Sequence, residues 1–402
     1  RNLISQPRFK MSEVKNIPRL RFHQFDSEWV NNRLGDLIDI KGRIGYRGYT
    51  TNDIVSKGEG SISLSPSNID SDGNLSYDNS TYITWEKYFE SPEIMVEKGF
   101  TILVKTGSSF GKSGLIKDLP EKSTINPQLV VLKPTKINPF FLYTLTTLGS
   151  VQKQIKTMVV GGTIPTLSQE NISNFNVNIP SLPEQQKIAD FLTAVDKRIE
   201  LLEKKKTLLE TYKKGVMKKI FNQEIRFKDD YGKDFPNWEE KRLAEVSESI
   251  SVKNHQIPSN NILSEGNIPV IDQGKDMVKG FSNQSEKTFR TDGVVVFGDH
   301  TTILKYIDFD FIVGGDGVKL ISSNTIDIKY LYYNMVYNNV STEGYKRHFS
   351  ILKNIMIQIP YQEEQVKISE FLSSIDNQIE LLESKINKSK TWKKGLLQKM
   401  FV

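Results

Sequence analysis

Asn176 to Phe221 reads NVNIPSLPEQQKIADFLTAVDKRIELLEKKKTLLETYKKGVMKKIF, and Met356 to Phe401 reads MIQIPYQEEQVKISEFLSSIDNQIELLESKINKSKTWKKGLLQKMF. Aligned without gaps at an offset of 180 residues, the two stretches are identical at 21 of 46 positions. A long internal repeat is the strongest fold signal a single sequence carries, because it means one structural unit written twice. Each copy has the period of an amphipathic helix. Ile188, Val195, Leu202, Leu209 and Val216 recur every seven residues, with Leu192, Ile199 and Ile220 at the second seam position. The second copy repeats this with Ile368, Ile375, Leu382 and Leu396, joined by Leu372, Ile379, Ile386 and Met400. Ser181 and Glu184 fit a capping box, with Pro183 in the first turn, where its missing N–H is harmless. Some 37 helical residues predict a rod of roughly 55 Å.

Charge along the rods predicts how they pair. Acids prevail from Glu184 to Glu203, whereas Lys204, Lys205, Lys206, Lys213, Lys214, Lys218 and Lys219 meet only Glu210. The second copy is acidic from Glu363 to Glu383 and then carries Lys385, Lys388, Lys390, Lys393, Lys394 and Lys399. A parallel pair sets two basic ends side by side, and an antiparallel pair sets each against its partner's acidic end, so antiparallel packing is expected. Two readings of the lysines stay open: a solvated face and specific cross-helix contacts. Burying a charge in the seam is expected to be costly, so Leu202→Glu is expected to abolish rod pairing or the docking of a partner subunit on the rods.

Outward from the rods, short β-type runs such as Phe100–Val104, Leu129–Leu132, Gly293–Phe297 and Phe309–Val313 are punctuated by Gly, Asn, Ser and Asp. These segments read as two compact α+β domains that correspond weakly to one another. Leu20-Arg-Phe22 and Ile225-Arg-Phe227 open them, followed by Trp29 and Trp238 and then by Arg33-Leu34 and Arg242-Leu243. The expected layout is an arm or remnant at 1–20, part of it ahead of Met11, a domain at 21–180, a helix at 181–223, a domain at 224–360 and a helix at 361–402.

Composition narrows the chemistry. A chain of 402 residues with 37% hydrophobic residues can fold around sizeable cores. The absence of cysteine excludes disulfides, thiolate-ligated zinc, iron–sulfur clusters and a cysteine nucleophile, and fits an intracellular setting. His23, His255, His300 and His348 lack metal-ligand spacing, so no metal site is expected. No apolar run long enough to span a bilayer and no signal peptide are visible.

Three motifs come near to catalytic ones. Gly107-Ser-Ser-Phe-Gly-Lys-Ser113 resembles a phosphate loop but has Thr106 where the pattern needs glycine. Its better reading is a loop whose Ser108, Ser109 and Lys112 touch a DNA phosphate, with Lys105 and Gln128 as further candidates. Asn138-Pro-Phe-Phe141 comes near an adenine-methyltransferase motif, but Asp327 holds the equivalent place in the repeat, and Asn and Asp exchange freely as helix N-caps. Glu203-Lys-Lys205 lies on a rod and reads as surface charge, not as a nuclease site. KGRIGYRG supplies Lys41, Arg43, Tyr46 and Arg47, readable as a DNA-contact loop or as a solvated turn. The second domain offers Gln273, Lys275, His300, Lys305, Lys319, Tyr345, Lys346 and Arg347 in comparable stretches.

The duplicated I-P-x-x-x-E-Q-x-K-I, I-E-L-L-E and K-K-G element, with Ile125-Asn-Pro-Gln-Leu-Val-Val131 and Ile268-Pro-Val-Ile-Asp-Gln273, resembles the specificity (S) subunit of type I restriction–modification systems. The resemblance spans the chain from Met11 onward. It implies two target-recognition domains separated by two helices in an antiparallel coiled coil, with pseudo-two-fold symmetry inside one chain. It also implies a non-catalytic, cytoplasmic DNA-binding subunit that reads a bipartite, asymmetric target in double-stranded DNA. Half-site readers on one face of B-DNA are expected about one turn, roughly 34 Å, apart. Two methyltransferase (M) and two restriction (R) subunits are the implied partners, bringing S-adenosylmethionine, ATP and Mg. The rods carry about +4 and +1 of the net +6, so the domains are nearly neutral and weak DNA affinity is expected before M subunits bind. Tyr361-Gln-Glu363 in place of Ser181-Leu-Pro183, and Ser389 in place of Leu209, depart from the repeat. Competing expectations are a coiled-coil interaction protein without DNA reading and a methyltransferase or nuclease fused to its reader.

Overall fold

A computed structural model describes residues 16–158, 166–342, 344 and 346–402. The chain divides into two compact units, one running to Glu200 and including Asn387–Val402, the other comprising Leu201–Ile386.

The first unit runs β1 (Val30–Arg33), β2 (Ile38–Gly42), β3 (Ile54–Val55), β4 (Gly60–Leu64), β5 (Thr81–Thr84), α1 (Trp85–Phe89), β6 (Thr101–Val104), β7 (Ser113–Leu115), β8 (Ser123–Ile125) and β9 (Leu129–Pro134). Helices α2 (Pro139–Thr147), α3 (Gly149–Thr157) and α4 (Gln169–Ser173) follow, then β10 (Asn176–Ile179) and the long α5 (Leu182–Phe221), which belongs to the first unit as far as Glu200 and to the second from Leu201. β2, β9, β6 and β7 form an antiparallel sheet in that order, β3, β5, β4 and β8 a mixed one, and β1 pairs with β10. In the β2–β9–β6–β7 sheet, β6 and Leu129–Leu132 of β9 are buried on both faces, which explains their near-continuous apolar runs, whereas β2 exposes Asp39 and Lys41. The period of two still sorts the side chains. Ile102, Val104, Leu129 and Val131 face a core shared with the mixed sheet, and Leu103, Val130 and Leu132 face a core built with the helices.

The second unit runs β11 (Glu239–Arg242), α6 (Leu243–Val246), β12 (Glu248–Ile250), β13 (Gln256–Ile257), β14 (Ile268–Ile271), β15 (Gly280–Ser282), β16 (Val294–Gly298), β17 (Leu304–Ile307), β18 (Ile312–Gly314) and β19 (Val318–Ser322). It closes with α7 (Ile328–Tyr337), α8 (Phe349–Leu352), β20 (Met356–Ile359) and the long α9 (Gln362–Met400), whose residues from Asn387 onward belong to the first unit. Its antiparallel sheet, β12–β19–β16–β17, repeats the order of the first, and β11 pairs with β20 as β1 does with β10. The alternation repeats too: Val295, Phe297 and Ile321 face the helical core, and Val294, Val296 and Leu320 the other. The mixed sheets differ. β8–β4–β5 corresponds to β18–β14–β15, but the fourth strand lies beside β5 in the first unit and beside β18 in the second.

Within each unit the two long helices run antiparallel. In the first, Ile188, Leu192, Val195 and Ile199 of α5 share a core with Leu396 and Met400 of α9. In the second, Val216, Met217 and Ile220 share one with Ile368, Leu372 and Ile375, and Leu382 is also buried. Lys206 reaches Glu383 at 3.3 Å and Lys213 reaches Asp376 at 2.5 Å, so rising numbers on one helix meet falling numbers on the other. Leu202, Leu209 and Ile379 are only half-buried, so the seam is less tightly closed there than the heptads predicted.

Candidate nucleic-acid interface

Each unit is locked to its long helix by a buried carboxylate. Glu184, 1% exposed, accepts a bidentate pair from Arg21, Nε at 2.7 Å and Nη2 at 2.7 Å, and the Trp29 indole N–H at 3.3 Å. Glu364, fully buried, accepts Nε and Nη2 of Arg226 at 3.2 and 2.6 Å and the Trp238 indole N–H at 2.9 Å. Such charge-assisted forks are among the stronger protein hydrogen bonds, and they hold both guanidiniums above their ordinary pKa range. Glu184 thus serves the Arg–Trp clamp in place of the capping box expected of it.

The next residue repeats as faithfully. Gln185 accepts the Asn138 backbone N–H and donates to the Pro180 carbonyl, both at 2.9 Å, and Gln365 does the same with Asp327 and Pro360 at the same distances. Asn138 and Asp327 in turn cap α2 and α7 by accepting the N–H of Phe141 and Tyr330. This is the helix-start role that the repeat predicted for them.

Strand register then brings loops together. Gly42 pairs with Val130, Val104 with Leu129 and Leu64 with Ile125, so the loops after β2, β4, β6 and β8 emerge at one end of the sheets. A cavity of about 420 Å³ opens there, lined by Ser65, Ser67, Thr106, Ser108, Ser109, Lys112 and Gln128 among others. The GSSFGKS loop is followed by strand β7, not by the helix a phosphate loop requires, and its Gly107 sits at φ +102°, where side chains are strained. In the second unit, Gly298 pairs with Val318 and Ile271 with Val313, which gathers the loops after β14, β16 and β18 in the same way.

The candidate contact residues divide sharply. Lys41, Ser108 and Gln128 are exposed, and Lys105 is half-buried, its ammonium pushed down in pKa by burial. Lys112 donates to the Ile69 carbonyl at the cavity edge, and Ser109 is half-buried. Arg43 is turned inward. At 5% exposure it donates to the Ile125 carbonyl, Thr124 Oγ1 and the Arg47 carbonyl, lies 5.6 Å from the Tyr49 ring centroid, and has its pKa lowered by burial. Arg47 is half-buried and donates to the Glu90 carbonyl.

In the second unit Lys305 is likewise internal, 4% exposed, donating to the carbonyls of Asp272 and Asp276 at 2.9 and 2.5 Å. Burial lowers its pKa, opposed by those two carboxylates. Gln273 donates to the Asp316 carbonyl at 3.1 Å and accepts the His300 backbone N–H at 3.2 Å, so both ends of its amide are engaged. His300 Nδ1 lies 3.2 Å from the Lys346 carbonyl, and Lys319 lies over the Phe349 ring. Lys275, Lys346 and Arg347 are exposed. Tyr345 and the Tyr46 side chain lie outside the described residues.

Reading the sequence missed the Arg21–Glu184 and Arg226–Glu364 pairs, although each Arg and Trp recurs at the start of its unit and each Glu at the start of its rod. It also missed Asn126, Ser65, Ser67 and Thr106, which carry no periodic signal.

The family described as "Type I restriction modification DNA specificity domain" matches residues 26–211 and again 236–390. The type I restriction enzyme MjaVIII specificity subunit of Methanocaldococcus jannaschii is 26% identical over 327 residues, covering 72% of this chain and 75% of that protein. The EcoR124I/EcoR124II specificity subunit of Escherichia coli is 34% identical over 71 residues, 16% of this chain and 18% of its own. Among solved structures, the type I S subunit from M. genitalium shares the fold with a TM-score of 0.62 at 17% identity, over 96% of this chain and 99% of that one. With an internally repeated clamp, matching antiparallel sheets and a family match across both halves, the chain belongs to the specificity subunits of type I restriction–modification systems.

Proposed function

We propose that each unit reads one half of a bipartite, asymmetric target in double-stranded DNA through the loop cluster at the end of its sheets. The long helices and their clamps form the platform that carries two M and two R subunits. Catalysis belongs to those partners, which bring S-adenosylmethionine, ATP and Mg, and the complex works in the cytoplasm.

The observation that carries this reading is the pairing of a repeated scaffold with unrepeated loops. The Glu–Arg–Trp clamp, the Gln–cap contact and the antiparallel sheet recur almost atom for atom. The loops they present do not: a serine-rich cavity stands in the first unit, and a Gln273–His300–Asp316 network in the second. Constant support with variable loops is the layout expected when contacts on loops set specificity. Different loops read different half-sites, hence an asymmetric target.

Selection from a random duplex pool by the chain with its M subunits tests this. Recovery of two short fixed blocks with a constant unread gap is expected, with binding that weakens steeply as salt rises. No enrichment at any salt overturns it and leaves an interaction protein that reads no DNA.

A further inference from the structure

Resting on that reading, we infer that Gln128 presents its amide N–H donor to DNA and selects, at one position of the first half-site, a base that offers an acceptor. The polarity of its side chain follows from a chain of hydrogen bonds that starts at the backbone. The Gln128 N–H donates to Asn126 Oδ1 at 3.0 Å, and a backbone N–H can only donate. This fixes the Asn126 amide with Oδ1 toward that N–H, so its Nδ2 must be the atom donating to Gln128 Oε1 at 3.1 Å. With Oε1 turned to Asn126, the Nε2 end lies beside Gly107, which lines the same cavity. Asn126 itself is 9% exposed, so the relay is anchored in the fold, whereas Gln128 stands exposed on the wall of the 420 Å³ cavity.

The neighbourhood keeps that amino group accessible. A Cβ at Gly107 would lie 3.2 Å from Gln128 Nε2, tighter than ordinary packing, so glycine there leaves the donor room. The hydroxyls of Ser108, Ser109 and Ser67 share the cavity, and each can donate or accept. Unlike these hydroxyls, Gln128 has a polarity that the fold sets. In the major groove a glutamine free to use both ends matches adenine, which offers an acceptor and a donor side by side. A glutamine fixed as a donor matches guanine N7 and O6, adenine N7 or thymine O4, and rejects the amino group of cytosine. Gln273 in the second unit differs, because both ends of its amide hydrogen-bond within the protein.

Duplex selection by the chain in complex with its M subunits, using wild type, Gln128→Glu, Gln128→Met and Asn126→Ala, tests the inference. Failure of the wild type to select any fixed block would overturn the DNA-reading function itself. Given two blocks, Gln128→Glu replaces the donor by an acceptor and is expected to shift one position of one block toward cytosine, by roughly tenfold or more. Asn126→Ala frees the amide to rotate and is expected to relax that position without moving the others. The second block reports that the fold is intact. If Gln128→Glu loses both blocks, Gln128→Met decides: loss of preference at a single position sustains the inference. An unchanged first block in Gln128→Glu or Gln128→Met overturns it.

Discussion

Lys213 donates to both carboxylate oxygens of Asp376, at 2.5 and 2.7 Å. The same pair recurs in the first unit with the helices exchanged, where Lys393 lies 2.5 Å from Asp196. Shifting Lys213 by the repeat offset of 180 gives Lys393, and shifting Asp196 gives Asp376, so the two bridges are one contact written twice. These lysines make specific cross-helix contacts. Lys204, Lys205, Lys214, Lys218 and Lys219 are exposed and solvated. Both readings of the basic ends therefore hold, at different lysines.

Asp376 also accepts the Tyr333 hydroxyl at 2.7 Å, and burial together with that carboxylate raises the Tyr333 pKa. Lys213→Asp should place two carboxylates against each other and destabilise the second unit by about 2 kcal/mol. Lys213→Asp combined with Asp376→Lys should recover most of that loss. Urea unfolding of the single and double variants measures both, and additive losses would contradict a direct bridge.

Removing a clamp carboxylate should be costlier than removing a seam bridge. Glu184→Ala leaves the Arg21 guanidinium, held in two charge-assisted bonds, without its anion, and a loss of about 3 kcal/mol is expected. Glu364→Ala should do the same at Arg226. Hydrogen exchange should report the first loss mainly in the first unit and the second in the second, since each clamp ties down the opening segment of its own unit.

Leu202 is half-buried, whereas Leu372 is fully buried against Val216, Ile220 and Ile368. Leu372→Ala should cost about 3 kcal/mol through lost transfer energy and the cavity left behind. Leu202→Glu, expected from the heptads to break pairing, should cost about 1 kcal/mol, because its carboxylate can reach water. Thermal denaturation of the two variants checks this order, and a larger loss at Leu202 would reverse the assignment of burial.

Asn138→Asp and Asp327→Asn should be nearly neutral, because each side chain caps its helix by accepting one backbone N–H. Asn138→Ala and Asp327→Ala should each lose about 1 kcal/mol. A methyltransferase motif at Asn138 would instead show as loss of activity with unchanged stability, so measuring both in the assembled complex separates the roles.

Exchanging residues 226–355 for the corresponding segment of another specificity subunit should alter one half-site of the selected sequence and leave the other intact. Methylation mapping by the reassembled complex reads this directly. A change in both blocks would mean that the units do not read independently.

Much of this architecture was legible because periodicity and repetition are properties of the chain itself. The helix seams at Ile188, Leu192, Ile368 and Leu372 follow from their spacing, the antiparallel pairing from where the charges lie, and the caps at Asn138 and Asp327 from their exchange across the repeat. The buried runs at Thr101–Val104 and Val294–Gly298 announced the central strands. The candidate contacts were far less legible. Arg43, Lys305 and Gln273 have the residue types of a DNA reader, yet the fold engages each of them internally.

What the sequence determined by itself is the duplicated helix–domain plan and its antiparallel sense, since apolar spacing and charge order act locally along the chain. Only the tertiary structure decided which polar side chains remain to meet a ligand. Whether a loop donor is free depends on the acceptor folded against it, as Arg43 depends on Ile125 some 82 residues away, and that partner is set by strand register. For the same reason the polarity of the Gln128 amide became visible only once Asn126 was fixed in place.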